Sequence, residues 1–249
     1  MGKLIFLVCT TAIVLAVGIG VAGPGTRFGF WDYGVGLSLI RQLALPVMIA
    51  AGLSALSLVG ALIGARGMAL YAALATVAAG AAAYAPIKMK QLVDANPFIH
   101  DITTDFEEPP QIVAAADLPR KNPADYVGAE FAPRSNITIA DAQRAAFPDL
   151  ETIKVAGSID ETAEVVMSVV NDMGMEILEE GPTDDGWRVE AASTSLWFGF
   201  VDDFVVRLKP AGAQTEIDVR SKSRVGLSDL GANATRVRDF LERMQSATG

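Results

Sequence analysis

LIFLVCTTAIVLAVGIGVAGPGT, residues 4–26, contains no charged side chain in 23 positions. Two further uncharged stretches follow at residues 42–65 and 67–87. About 20 apolar residues in an α-helix cross the roughly 30 Å hydrocarbon layer of a bilayer, and backbone groups in lipid must bond to one another. We therefore predict a membrane region over residues 1–90, with transmembrane helices at about 4–23, 43–64 and 67–87.

The first of these stretches also has features of a signal peptide. Lys3 precedes it, and Gly20-Val21-Ala22 resembles a cleavage site. Its apolar run is longer than the roughly 7–15 residues of a signal-peptide core, which favours an uncleaved helix. The orientation stays open. The basic residues that flank the spans slightly favour a cytoplasmic soluble domain, whereas the short N-terminus with Lys3 is typical of a signal anchor left inside.

The rest of the chain is strongly acidic. Of the net charge of −9, residues 1–91 contribute +5 and residues 92–249 contribute −14. This balance excludes a basic nucleic-acid binder, and the single cysteine excludes a disulfide scaffold and a cysteine-based zinc site. The sequence has one histidine and no P-loop, G-x-S-x-G or H-E-x-x-H motif, which favours a protein that is not an enzyme. We predict no catalytic residue, no metal site and no cofactor.

Residues 91–150 form a proline-rich segment that contains seven of the twelve prolines. Because proline and the residue before it resist helix formation, we predict an extended linker or strap, with one short helix at residues 140–146. His100 and four acidic residues cluster near its start, namely Asp101, Asp105, Glu107 and Glu108. Their spacing matches no EF-hand or zincin pattern, so we predict a solvated acidic loop rather than a divalent-ion site.

Regular periodicity from residue 151 predicts an α+β soluble domain over residues 151–249. Ser158 and Glu161 have the spacing of a capping box, and the apolar residues that follow repeat at helical spacing to about Met173. Alternating apolar and polar residues predict strands, and Ser228 is predicted to cap a last helix. The predicted order is β-α-β-β-β-β-α. Short turns make the sheet antiparallel, with both helices on one face.

Three segments of this region resemble the family catalogued as domain of unknown function 1499. They are QRAAFPD (residues 143–149), FGFVDDF (residues 198–204) and DVRSKSRVGLSDLGAN (residues 218–233). The resemblance covers about residues 96–245. It implies an α+β domain of bacteria and plastids that is often membrane-tied or exported, and it implies no activity. On this basis we expect a multi-pass protein of the inner (plasma) membrane with its soluble domain in the periplasm.

The last signature segment contains a candidate ligand site. Arg220, Lys222 and Arg224 occupy alternate positions, so a continuous strand would project all three to one face. Ser228 and Asp229 then begin the predicted helix, whose N-terminal amides favour an anion. These five residues could together bind a phosphate or a lipid headgroup.

Internal ion pairing is the alternative use of these basic residues, and we favour it. Asp202 and Asp203 are candidate partners, and their adjacent positions place them on opposite faces of a strand. Two functions stay open. The favoured one is a non-enzymatic bacterial envelope protein in which three helices anchor an interaction domain to the lipid bilayer, with envelope proteins as candidate partners. The other is a lipid- or anion-binding domain on the basic strand face, with hydrolysis as a further option.

An aromatic run precedes Asp202. It consists of Trp197, Phe198 and Phe200, and alternation places the two phenylalanines on the same side of a strand. The run predicts either a core or sheet-edge position or a surface that dips toward lipid.

Overall fold

The computed structural model describes residues 1–248, and the chain divides into two compact units. The first unit contains residues 1–92 together with Leu196–Gly199. The second contains Val93–Ser195 and the chain from Phe200 onward. A short piece of the C-terminal half is therefore packed as part of the N-terminal unit.

Three long helices form the body of the first unit. They are α1 (Gly2–Arg27), α2 (Tyr33–Gly64) and α3 (Ala69–Ala95), with a 3-10 turn at Arg66–Met68 before α3. Each is long and apolar enough to cross a membrane. The helices extend beyond the uncharged stretches and contain charged residues such as Arg41 and Lys88, whose long side chains can reach toward water from near the edge of a membrane span.

Small side chains let these helices approach one another. The buried positions of α3 are four alanines spaced three or four residues apart, namely Ala72, Ala75, Ala79 and Ala83. Tyr71 on α3 stacks on Phe6 of α1 with ring centroids 5.7 Å apart, and its hydroxyl lies 2.7 Å from Thr10 Oγ1. Close packing and a few polar contacts are the forces that join helices in lipid.

The second unit is an antiparallel sheet with helices. Its strands are β1 (Asp101–Thr103), β2 (Ile153–Ala156), β3 (Glu176–Thr183), β4 (Gly186–Thr194), β5 (Val201–Ala211) and β6 (Gln214–Ser223), and its helices are α4 (Ile139–Ala146), α5 (Ile159–Asp172) and α6 (Ala232–Thr248). The strand order is β1-β6-β5-β4-β3, and β2 also pairs with β6. From β2 onward the order is β-α-β-β-β-β-α, so the predicted antiparallel α+β fold is confirmed.

One face of the sheet carries the apolar core. Inward-facing residues of β4, β5 and β6 pack against α5 and α6, and all of this cluster is buried. Phe204 on β5 meets Phe240 on α6 edge to face, with centroids 5.4 Å apart. The predicted capping box of α5 is confirmed, since the Ser158 and Glu161 side chains each accept a hydrogen bond from the other's backbone N–H.

The opposite face is covered by irregular chain. Residues 105–127, here named the covering segment, contain no helix or strand. Within it, Ile112 and Ala115 pack on Val205 of β5. Where this segment lies against the sheet, its backbone groups must find partners outside any helix or sheet.

Two local predictions are wrong. Asp101 does not lie in a solvated loop. It belongs to β1, which pairs with β6, and it is fully buried. Ser228 does not begin the last helix, because Leu230 and Gly231 adopt positive φ (58° and 85°) and delay its start to Ala232.

Candidate functional site

The covering segment is attached to the sheet by the signature residues of β6. Arg220 donates from Nη1 to the Pro110 carbonyl (3.2 Å) and from Nη2 to the Ala124 carbonyl (3.0 Å). Lys222 Nζ donates to the Asp125 carbonyl at 2.5 Å. Charged side chains thus satisfy backbone carbonyls that irregular chain would otherwise leave unpaired.

The backbone amides of the covering segment are satisfied in the same way. Glu190 on β4 is buried, and its carboxylate accepts from Val113 N (2.8 Å) and Ala115 N (3.3 Å). In the opposite direction, the side-chain amide of Asn122 in the covering segment donates to the carbonyls of Ser223 and Gly226. Side chains of the sheet therefore form hydrogen bonds with both backbone N–H groups and backbone carbonyls of this segment.

Asp101 is the centre of the charged network. Its carboxylate receives two bonds from Arg220, each 2.9 Å long, and lies 3.0 Å from Lys222 Nζ. All three side chains are fully buried. Burial by itself would raise the pKa of Asp101, but Arg220 and Lys222 outweigh it and hold the pKa below the usual carboxyl range. Burial lowers the pKa of Lys222, and Asp101 opposes that shift.

Arg224 follows β6 and pairs with Asp203 of β5. Its Nε and Nη2 lie 2.8 and 2.7 Å from Asp203 Oδ1, and Arg120 of the covering segment reaches Oδ2 at 3.0 Å. The Asp203 side chain is 1% exposed. The three basic residues of the signature are thus brought to one region, but each faces a carboxylate of the same chain.

Asp202 points to the other side of the sheet. Its carboxylate pairs with Arg236 of α6 at 2.9 Å, and both side chains are largely buried. Arg236 also donates to Ser221 Oγ and Asn233 Oδ1. Adjacent acidic residues therefore serve opposite faces, as strand alternation requires.

Ser228 and Asp229 lie in the turn before α6. Asp229 accepts hydrogen bonds from Gly231 N (2.8 Å) and Asn233 N (2.9 Å), and Ser228 Oγ accepts from Leu230 N (3.2 Å). The Asn233 amide in the first turn of α6 and the Gly231 amide just before it are therefore bonded to a carboxylate of the chain itself. Burial raises the pKa of Asp229 to about 6, although these two amides and Arg236 oppose the shift.

We expect Asp229 to contribute stability to the soluble unit that is lost as pH rises from about 4 to about 6. An ordinary aspartate titrates near 3.8, so in this window the folded state binds more protons at Asp229 than the unfolded chain does. Asp229→Asn should remove this part of the pH dependence of the thermal-unfolding midpoint. Asp160→Asn, on the exposed first turn of α5, is the control and should leave the slope in place. The same slope in Asp229→Asn as in the parent would contradict the assignment.

The sequence did not identify three residues that hold the covering segment: Asp101, Arg120 and Glu190. Asp101 was grouped with its acidic neighbours, although the apolar and β-branched pair Ile102-Thr103 beside it favours a strand. Arg120 and Glu190 each look like ordinary surface charges. No local pattern shows that they face each other's part of the chain in the folded protein.

Comparison with known proteins gives one family match. The model of the family described as "Protein of unknown function (DUF1499)" matches residues 101–244. None of the curated proteins compared with the chain matches it.

Two solved structures are reported for their similarity to the chain. The vertebrate conserved region of human METTL16 is 8% identical, with a TM-score of 0.26, and the match covers 37% of this chain and 95% of that one. CalU16 from Micromonospora echinospora is 14% identical, with a TM-score of 0.26, and the match covers 38% of this chain and 73% of that one. TM-scores this low do not establish a shared fold.

Proposed function

This chain belongs to the DUF1499 family, and from that premise we propose that it is a membrane-anchored, non-enzymatic protein of the bacterial envelope. The three apolar helices are the anchor. The family domain is an interaction module, and the basic residues of its signature are structural. They hold the covering segment on the sheet instead of binding a ligand.

One observation supports this proposal above the others. Arg220 and Lys222 are fully buried against Asp101, and their remaining bonds go to carbonyls of the covering segment. An anion could reach these groups only by displacing a carboxylate and lifting the segment away. Separating a buried ion pair leaves uncompensated charge, which costs roughly 3–5 kcal/mol.

Arg224→Ala tests the proposal, and we expect it to destabilise the soluble unit. Asp203 would keep Arg120 as its partner, so the expected loss is at most about 3 kcal/mol. The measurements are the thermal-unfolding midpoint in detergent and native mass spectrometry of lipids that co-purify with the full chain. The lipid content should be the same in the parent and in the variant.

Arg243→Ala is the matched control, because Arg243 forms an exposed pair with Asp239 one helical turn away, worth about 0.5 kcal/mol or less. The alternative function predicts the reverse pattern. An unchanged midpoint for Arg224→Ala together with the loss of a bound lipid or anion would show that the basic strand face is a ligand site, and it would overturn the structural assignment.

We also propose that the anchor lies in the inner membrane with the soluble unit in the periplasm. The support is the frequent export of the family that the signature resembles. Gln245→Cys on α6 should react with a membrane-impermeant thiol reagent in cells with a permeabilised outer membrane. Gly67→Cys, in the exposed turn between α2 and α3, should not react. The opposite labelling pattern would place the soluble unit in the cytoplasm.

A further inference from the structure

Leu196–Gly199, which joins β4 to β5, is packed within the helical unit. The Trp197 indole donates from Nε1 to the Gly20 carbonyl of α1 at 3.3 Å. A β-carbon at Gly23 would overlap the Trp197 ring, so the absence of a side chain there makes room for the indole. The Trp197 ring thus occupies a notch at Gly23 in the apolar helix α1.

The neighbouring contacts follow the same pattern. A β-carbon at Gly36 of α2 would lie 2.9 Å from the Phe198 ring, so this glycine also leaves room for an aromatic side chain. Arg27 at the end of α1 donates from Nη1 to the Leu196 carbonyl at 2.5 Å. The contacts therefore fix both the side chains and the backbone of the segment.

Large apolar side chains next to these contacts are mostly exposed. Leu196 is 88% exposed, and Phe28 and Phe30 in the turn between α1 and α2 are 71% and 78% exposed. Trp197 also lines an apolar groove of about 430 Å³ with residues of α1 and α3, including Ala78 and Ala82. Such a surface is costly in water and favourable in contact with lipid.

The position along α1 places this surface near the edge of the hydrocarbon layer. A helix of 26 residues is about 39 Å long, which exceeds the roughly 30 Å hydrocarbon thickness. If α1 is centred in the bilayer, Gly23 lies about 13 Å from the midplane, just inside the boundary at about 15 Å. Tryptophan is enriched at this depth, because its ring is apolar and its N–H is polar.

We infer that Leu196–Gly199 is a second membrane contact of this protein, with Trp197 and Leu196 immersed in the interfacial layer of a phospholipid bilayer. The inference rests on the proposed function, in which α1 to α3 span the membrane. It adds that the connection between two strands of the family domain enters the lipid boundary. The occupant of the exposed apolar surface is lipid, since the surface continues directly into the apolar faces of the spanning helices.

Depth-dependent fluorescence quenching tests the inference on the full chain in phosphatidylcholine vesicles. Trp31→Phe is the parent, because Trp31 lies close to the same boundary and would obscure the signal. The Trp197 emission is the difference between this parent and the Trp31→Phe/Trp197→Phe variant, which keeps only the core residue Trp187. Lipids brominated near the glycerol end of the acyl chain should remove most of the Trp197 emission, and aqueous iodide should remove little.

A pair of glycine variants in the same parent links the signal to the notch. Gly23→Ala places a methyl group where the Trp197 ring lies, so it should displace the ring and change its quenching by brominated lipid. Gly20→Ala is the matched control, since a β-carbon there meets nothing within 4 Å. Equal quenching in the two variants would overturn the inference that Trp197 occupies this notch.

The possible failures are distinguishable. A chain that does not float with the vesicles in a density gradient contradicts the membrane anchor and hence the proposed function. A chain that floats but whose Trp197 is quenched by iodide and not by brominated lipid contradicts only the second contact. Protection from both quenchers would mean that protein covers the surface, and it would also overturn the inference.

Discussion

Asp101→Ala is expected to destabilise the soluble unit more than any other removal of a single charge from the network. The substitution leaves Arg220 and Lys222 facing each other in a fully buried site, without the carboxylate that both now contact. Removing one partner of a buried ion pair costs roughly 3–5 kcal/mol. For a unit of this size, in which 1 kcal/mol shifts the midpoint by roughly 2–4 °C, that loss lowers the thermal-unfolding midpoint by about 6–20 °C. Trp187 emission in detergent, measured in the Trp31→Phe/Trp197→Phe background, is a suitable probe, because this residue lies in the sheet core.

Asp149→Ala is the matched control for this prediction. Asp149 also forms a two-bond pair with an arginine, Arg238, but its side chain is 51% exposed. Exposed pairs are worth about 0–1 kcal/mol, so the midpoint should change little. Similar midpoints for Asp101→Ala and the parent would mean that the buried network does not hold the covering segment, and the structural role proposed for the signature would fail.

Phe240→Ala should produce the second large effect, of about 3–5 kcal/mol. Phe240 is fully buried on α6 and packs edge to face on Phe204 of β5. Truncation leaves a cavity between the helix and the sheet, where the surrounding side chains can relax only in part. The same thermal-unfolding measurement applies, and the midpoint should fall by about 6–20 °C.

Leu227→Ala is the control for loss of apolar surface, because Leu227 is 62% exposed. Its midpoint should stay close to that of the parent. If Phe240→Ala behaves like Leu227→Ala, the packing of α6 on the sheet is not a major source of stability. The two largest predicted effects therefore probe opposite faces of the same sheet, one apolar and one charged.

The contrast between these faces has a physical basis. Helices satisfy their own backbone groups, so α5 and α6 present only side chains to the sheet and need an apolar partner surface. The covering segment is irregular and contains prolines, so it presents bare carbonyls and amides. Arginine, lysine and glutamate can reach and bond to such groups, whereas apolar side chains would leave them unpaired. A sheet face with charged side chains is therefore well suited to pack against a covering segment without helix or strand.

Local sequence patterns were sufficient for much of the architecture. Uncharged runs longer than the bilayer thickness predict the three apolar helices, because the cost of burying charge in lipid acts on each segment alone. The order of strands and helices from residue 151 follows from alternation, helical spacing and the Ser158 cap, which are also local. The match of the family model over residues 101–244 agrees with the resemblance carried by the signature segments.

The use of the charged residues depends on contacts far apart along the chain. Arg220 and Asp101 are separated by 119 positions, and Trp197 and Gly20 by 177. A charged or aromatic side chain has the same local pattern whether it faces water, an ion-pair partner or a helix. Burial and partner identity are properties of the assembled chain, so only the tertiary structure distinguishes a buried ion pair from an open anion site.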